Sequence, residues 1–180
     1  MMPSFRNSCV AAGLVLCALV LAGCPATTSS QRRDAATDTK VVGNFSLRDL
    51  RGKRIQLRDF ENKVVLLSFW ASWCKPCHQE LPVLQNIWQR HRARGFELVS
   101  IAVDPPDTES EVRQMTRRYR YEFPVLLDPE TDVANRFNPT MDLPYSVLID
   151  REGRIAAVHQ GYRIGDEVTI ENKINALLQP

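Results

Sequence analysis

The sequence predicts an α/β domain whose central mixed β-sheet is flanked by helices, and three observations carry that expectation. Two continuous apolar runs of strand length, Val64–Trp70 and residues 96–103, suit strands buried on both faces. Each is followed by a stretch whose apolar residues recur at three- and four-residue steps, the helical period. Near the end, residues 145–150, the tripeptide Arg-Glu-Gly and residues 154–160 spell strand, turn and strand, an antiparallel hairpin. Strands alternating with helices and closing in a hairpin call for a mixed sheet covered by helices.

What precedes the domain reads differently. Arg6 leads into an uncharged apolar stretch, residues 9–22, that ends in Leu21-Ala22-Gly23-Cys24. That length is short of the roughly 20 residues a helix needs to cross a bilayer. A charged start, a short apolar core and small residues describe a secretory signal over residues 1–23. The Leu-Ala-Gly-Cys spelling resembles the bacterial lipoprotein box, which implies lipidation of Cys24 and an anchor on the periplasmic side of a membrane. An uncleaved anchor, or a simple signal cut near Ala22, are the alternatives. Cys9 and Cys17 leave with the signal, so Cys74 and Cys77 are the remaining thiols, in a compartment that permits disulfides. Residues 24–40 hold almost no large apolar side chains and read as a flexible tether. Residues 41–180 then form one domain. With 180 residues in all and a formal charge of +2, the chain gives no sign of binding nucleic acid.

Within the domain, Gly52-Lys53 lies between two short alternating stretches and predicts an N-terminal β-hairpin. After the buried run Val64–Trp70 come the cysteines and an amphipathic helix carrying Leu81, Leu84, Ile87, Trp88 and His91, with Gly95 as its stop. The second core strand, residues 96–103, leads through the turn Asp104-Pro105-Pro106-Asp107 to a helix over residues 109–121. Val112, Met115, Thr116 and Tyr119 lie on its apolar stripe, and Arg113, Arg117, Arg118 and Arg120 on a basic face, solvated or used for docking. A short strand over 123–128 and one or two helical turns over 131–137 come before the hairpin. A last helix over 167–178 turns Val168, Ile170, Ile174, Leu177 and Leu178 inward.

Chemistry concentrates in residues 69–82, FWASWCKPCHQELP. Cys74 falls at the mouth of a helix, where unpaired N–H groups and the helix dipole favour an anion. A thiolate there is stabilised and its pKa lowered from the free value of about 8.5, with a modest contribution from Lys75. Pro76 suits the first helical turn. Cys77, one turn further on, is placed to attack Cys74 when that sulfur is in a mixed disulfide. The spacing therefore supplies one nucleophilic and one resolving sulfur. Half of a zinc site is a second reading, but zinc needs four ligands, and His78, His91 and His159 are scattered. A purely structural staple is a third, though so small a loop contributes little stability.

This motif resembles the TlpA/ResA-like, extracytoplasmic branch of the thioredoxin superfamily, lipoproteins with an insert of the AhpC/TSA-redoxin type. The likeness runs over residues 44–178: the Gly-Lys hairpin, W-C-x-P-C, an inserted helix and strand after the second core strand, and DLPYSVLIDREGRI. It implies a thioredoxin fold, a redox disulfide Cys74–Cys77, and no cofactor and no metal. Position by position, it makes Cys74 the attacking cysteine, Cys77 the resolving one, and Trp73 a shield that lines the docking surface. Leu143 and Pro144 match the cis-proline edge that holds the substrate strand. Thioredoxins proper have an aspartate where this chain has Ser68; Glu80 matches the glutamate of the ResA-like branch and is expected to exchange the proton of Cys77. Pro82 matches the proline that kinks the helix, and His78 is expected to face solvent.

The resemblance further implies a monomer that exchanges disulfides with client proteins, apocytochromes c or copper-site thiols among them. Its electrons would come from a membrane thiol-reductant transporter of the DsbD/CcdA type. Two rival functions share the fold. A peroxiredoxin-like peroxidase would carry a threonine in the loop before its cysteine, which SWCKPC lacks. A copper(I)-binding chaperone would use three residues between its cysteines and a partnering histidine; here there are two residues, and His159 falls on the hairpin.

Overall fold

The computed structural model describes residues 41–179. The expected signal peptide over 1–23, the lipidated Cys24 and the tether over 24–40 lie outside the described residues.

A seven-stranded mixed sheet runs through the domain in the order β2-β1-β5-β4-β3-β6-β7. Its N-terminal hairpin pairs β1 (Ser46–Asp49) with β2 (Arg54–Gln56), and Gly52, at φ 81°, takes the left-handed turn position that glycine adopts at low cost. The chain after β2 does not stay extended. Residues Leu57–Phe60 close into a 3-10 turn, with Asp59 accepting the N–H of Gln56 at 2.9 Å. The apolar run Val64–Trp70 is β3, buried at every position because sheet neighbours cover its edges and helices its faces.

β3 pairs in parallel with β4 (Phe96–Ala102), and β4 in parallel with β5 (Val125–Leu127). On the other side β6 (Tyr145–Ile149) runs antiparallel to β3 and forms the terminal hairpin with β7 (Ile155–Gln160). Four helices complete the domain: α1 (Lys75–His91), α2 (Glu109–Tyr119), α3 (Asp132–Phe137) and α4 (Asp166–Leu177). α2 and β5 are the expected insert.

α1 buries Cys77, Glu80, Leu81, Leu84, Ile87, Trp88 and His91, one stripe at helical spacing. Its far end is tied to α4, where Glu171 takes Arg90 at 2.8 Å and His91 at 2.7 Å. Two expectations about helix faces are corrected. Val168 is 59% exposed, since α4 packs through Ile170 and Ile174. α2 buries Val112 alone and ends at Tyr119, because Arg120 turns left-handed at φ 52°; Tyr119 stacks on Tyr121 at 5.7 Å instead of entering the core. Among the described residues no helix is long and apolar enough to cross a membrane.

Candidate active site

β3 delivers the chain to the sheet's carboxyl end, and residues 71–73 turn it into α1. A buried carboxylate fixes that turn. Asp104, just past β4, accepts the Ser72 N–H on both oxygens, at 2.9 and 3.1 Å, and the Ser72 hydroxyl as well. From the helix side, His78 Nε2–H donates to the Ser72 carbonyl at 2.7 Å. His78 is therefore half-buried and part of the turn, which corrects the solvent-facing expectation. Neighbours one apart on a helix diverge, and here the divergence aims the ring back at the loop.

Cys74 is the N-cap of α1 and forms a disulfide with Cys77, the two Cα atoms 5.3 Å apart. The Cys77 N–H points at Cys74 Sγ at 3.3 Å. A sulfur at the N-cap, facing a free helix end, is where negative charge is best tolerated. Lys75 is exposed and Pro76 occupies the first turn, which has no need of its missing N–H. Cys74 is 4% exposed and Cys77 fully buried, while Trp73 beside them is 63% exposed.

Leu143–Pro144 is a cis peptide, and Pro144 is buried with its carbonyl accepting Gly161 N–H at 2.8 Å. Because Tyr145 pairs with Phe69, Leu143 and Pro144 stand at the end of β3 that leads to Cys74. The structure thus brings Trp73, Cys74, Cys77, Leu143 and Pro144 to one pole of the sheet. A cavity of about 370 Å³ lies at the opposite pole, lined by Val41, Leu57, Phe60, Val65 and Ile149, away from the sulfur chemistry. The disulfide lies instead beside an exposed aromatic and a strand end, a shape suited to a chain rather than an engulfed small molecule.

Glu80 interrupts the apolar stripe of α1 one turn beyond Cys77 and is fully buried over the sheet. Ser146 Oγ donates to its Oε1 at 3.5 Å, and among the described residues Oε2 has no hydrogen-bond partner. Burial pushes its pKa from 4.5 up to about 8, outweighing the pull of the Ser146 and Ser68 hydroxyls, while the charge of Asp166 adds to the rise. A carboxyl in that state is matched to a thiol as proton partner. Among the described residues no three His, Cys, Asp or Glu side chains are grouped to hold a metal ion. His159 instead approaches Asp166, at 3.3 Å. Sequence reasoning had missed Asp104 and Ser146. Asp104 left one signal, a charge directly after a buried strand; Ser146 left none, since only strand pairing brings it to Glu80.

This geometry, a helix N-cap CxxC disulfide at the end of a central strand, defines a thioredoxin-like redox domain. Residues 39–158 match the AhpC/TSA family, and the chain belongs to it. Two relatives carry the comparison further. The thiol-disulfide oxidoreductase ResA of Bacillus cereus is 31% identical over 158 residues, spanning 86% of this chain and 90% of its own. ResA of Bacillus subtilis is 36% identical over 129 residues, spanning 72% and 70%. A solved Chlorobium tepidum structure, described as a thiol:disulfide interchange protein DsbE, superposes with TM-score 0.72 and 31% identity, covering 78% of this chain and 97% of that one. The protein is a thiol–disulfide oxidoreductase acting on thiols or disulfides of client proteins.

Proposed function

We propose that this oxidoreductase is a reductant of client disulfides on the outer side of a bacterial membrane, held there by lipid on Cys24. The observation that supports the reading is the buried carboxyl of Glu80 one turn beyond Cys77, placed to take the proton that a resolving thiol must lose when a client disulfide is reduced. The direction is set by how strongly the Cys74 thiolate is stabilised, which the reduction potential reads.

In the proposed cycle the Cys74 thiolate attacks one client sulfur. A Cys74–client disulfide forms, the client S–S bond breaks, and the other client sulfur leaves as a thiolate. The Glu80 carboxylate takes the proton of Cys77. The Cys77 thiolate then attacks Cys74 Sγ, forming Cys74–Cys77 and releasing the second client thiolate. The client gains two electrons, which the protein loses and recovers from a membrane thiol-reductant transporter of the DsbD/CcdA type. Trp73 and the strand end at Leu143 and Pro144 hold the client as an added strand. The likeness to ResA supports this reading, and apocytochrome c before haem attachment is the client class it favours.

The test is the reduction potential of the Cys74–Cys77 pair against thiol buffers. A value near the about −270 mV of thioredoxin supports the reductant. A value near −120 mV, roughly that of a strong oxidant, reverses the direction. The anchor is tested separately by the mass of the mature N-terminus, which should be Cys24 carrying acyl lipid; an unmodified start after residue 22 sinks it.

A further inference from the structure

A buried carboxyl that exchanges protons needs a route to solvent, and the sheet beneath α1 contains one. Strand register places Ser68 of β3 opposite Ser146 of β6, and Ser146 opposite His159 of β7. Directly paired residues project from the same face of a sheet, and Ser146 meets Glu80 on that face. The row therefore runs from under Glu80 to the edge strand. Among the described residues no strand pairs with the outer side of β7, and the His159 side chain is 24% exposed. Ser146 and His159 both line a small cavity of about 10 Å³, the space one water needs. Leu66, Leu148, Ala157, Val158, Ile170 and Lys173 complete its lining. The serine and the histidine are thus polar groups set in a mostly apolar wall under α4.

We propose that Ser146 and His159 are the path by which protons reach and leave the Glu80 carboxyl, an inference that rests on Glu80 as the proton partner of Cys77. Glu80 passes its proton to Ser146 Oγ while the Ser146 hydroxyl proton moves on through the chamber to His159. His159 then releases a proton to solvent, and Ser146 ends with one proton as it began. Uptake runs the same steps in reverse. Imidazole is the side chain suited to passing a proton near neutral pH.

The groups around the path fit this assignment. Glu80 is faced by Cys77 on its own helix, by Ser68 and Ser146 from the sheet, and by Asp166 and Tyr162 from the β7–α4 junction. Tyr162 is no carrier. Its hydroxyl donates to Glu167 at 2.9 Å, and burial, with that carboxylate, pushes its pKa up to about 12. His159 is faced by Asp166 Oδ2 at 3.3 Å, without hydrogen-bond geometry at the buried Nε2, and by Lys173 across the chamber.

The experiment follows the carboxyl itself in the oxidised full-length protein by infrared spectroscopy. Glu80→Gln identifies the C=O band of protonated Glu80 as the one it removes. After a jump from pH 6 to pH 9.5 that band should decay at least tenfold more slowly in Ser146→Ala and in His159→Ala than in the wild type. Added imidazole should restore the rate of His159→Ala, which a merely structural defect would not allow. Equal decay in all three proteins overturns the path and leaves Glu80 in place. Slow decay without rescue by imidazole overturns the part played by His159. If Glu80→Gln removes no band that titrates, the role of Glu80 fails, and the path with it.

Discussion

Cys74 and Cys77 share a motif but not an environment, and the difference supports the proposed order of action. Cys74 caps the helix beside exposed Trp73, whereas Cys77 is fully enclosed over the core with Glu80 a turn away. A client can reach only the first sulfur. Cys77→Ser should therefore accumulate a stable Cys74–client adduct, visible on a non-reducing gel and by intact mass, with turnover down by about 10²-fold or more, the scale of losing an essential nucleophile or acid–base group. Cys74→Ser should form no adduct. Adducts in the second variant rather than the first would invert the assignment. The placement of these two residues, one sulfur at the helix N-cap and one a turn inside, was legible in the sequence, because it depends on spacing within one turn. The environment of Glu80 was legible only as far as its place on the stripe; the hydroxyls that meet it come from β3 and β6, 12 and 66 positions away, and nothing in the local pattern announces them.

Among the elements, the turn between β3 and α1 determines where that helix begins. Its brace, Asp104, sits in a stretch whose two prolines read simply as a turn. Buried at 3% exposure, it accepts three hydrogen bonds from Ser72 and lies 3.4 Å from Thr108 Oγ1. Charge-assisted bonds of this kind are worth more than neutral ones, and an orphaned buried N–H is costly. Asp104→Ala should lower the unfolding free energy by about 2–3 kcal/mol in urea denaturation, and slow disulfide exchange by loosening Trp73 and Cys74. Unchanged stability would mean the turn holds its shape through His78 alone. The strands were readable because burial on both faces writes an unbroken apolar run, and β3 and β4 show it. Helix faces at the margin were not. Val168 and Tyr119 lie on apolar stripes, yet the same spacing that buries Ile170 and Val112 leaves them exposed, because period alone does not say how far along a helix its partner extends. The cis bond before Pro144 came from resemblance, since nothing in the residues alone distinguishes it from a trans bond.

For the domain as a whole, a buried titratable group in the core makes stability a function of pH. The Glu80 pKa is 4.5 in an unfolded chain and about 8 in the oxidised fold. Below 4.5 both states carry the proton and no penalty arises. As pH rises from 4.5 to 8 the unfolded carboxyl ionises while the folded one keeps its proton, so the unfolded state binds fewer protons and stability falls. Above 8 both are ionised and the loss levels off. At 1.36 kcal/mol per unit, the full loss is at most roughly 5 kcal/mol, a large share of an ordinary domain's stability. Glu171 works in the opposite sense. Its hydrogen bond from Arg90, with His91 adding, holds its pKa below 4.5, so its contribution appears as pH rises through the acid range. The two groups act over adjoining ranges, Glu171 below the ordinary carboxyl value and Glu80 above it. Urea denaturation at pH 5, 6.5 and 8 tests this: wild-type stability should fall across the series, and Glu80→Gln, with no proton to lose, should remove most of the decline. An equal decline in both proteins would mean that Glu80 ionises within the fold at ordinary pH, and that the core tolerates its charge.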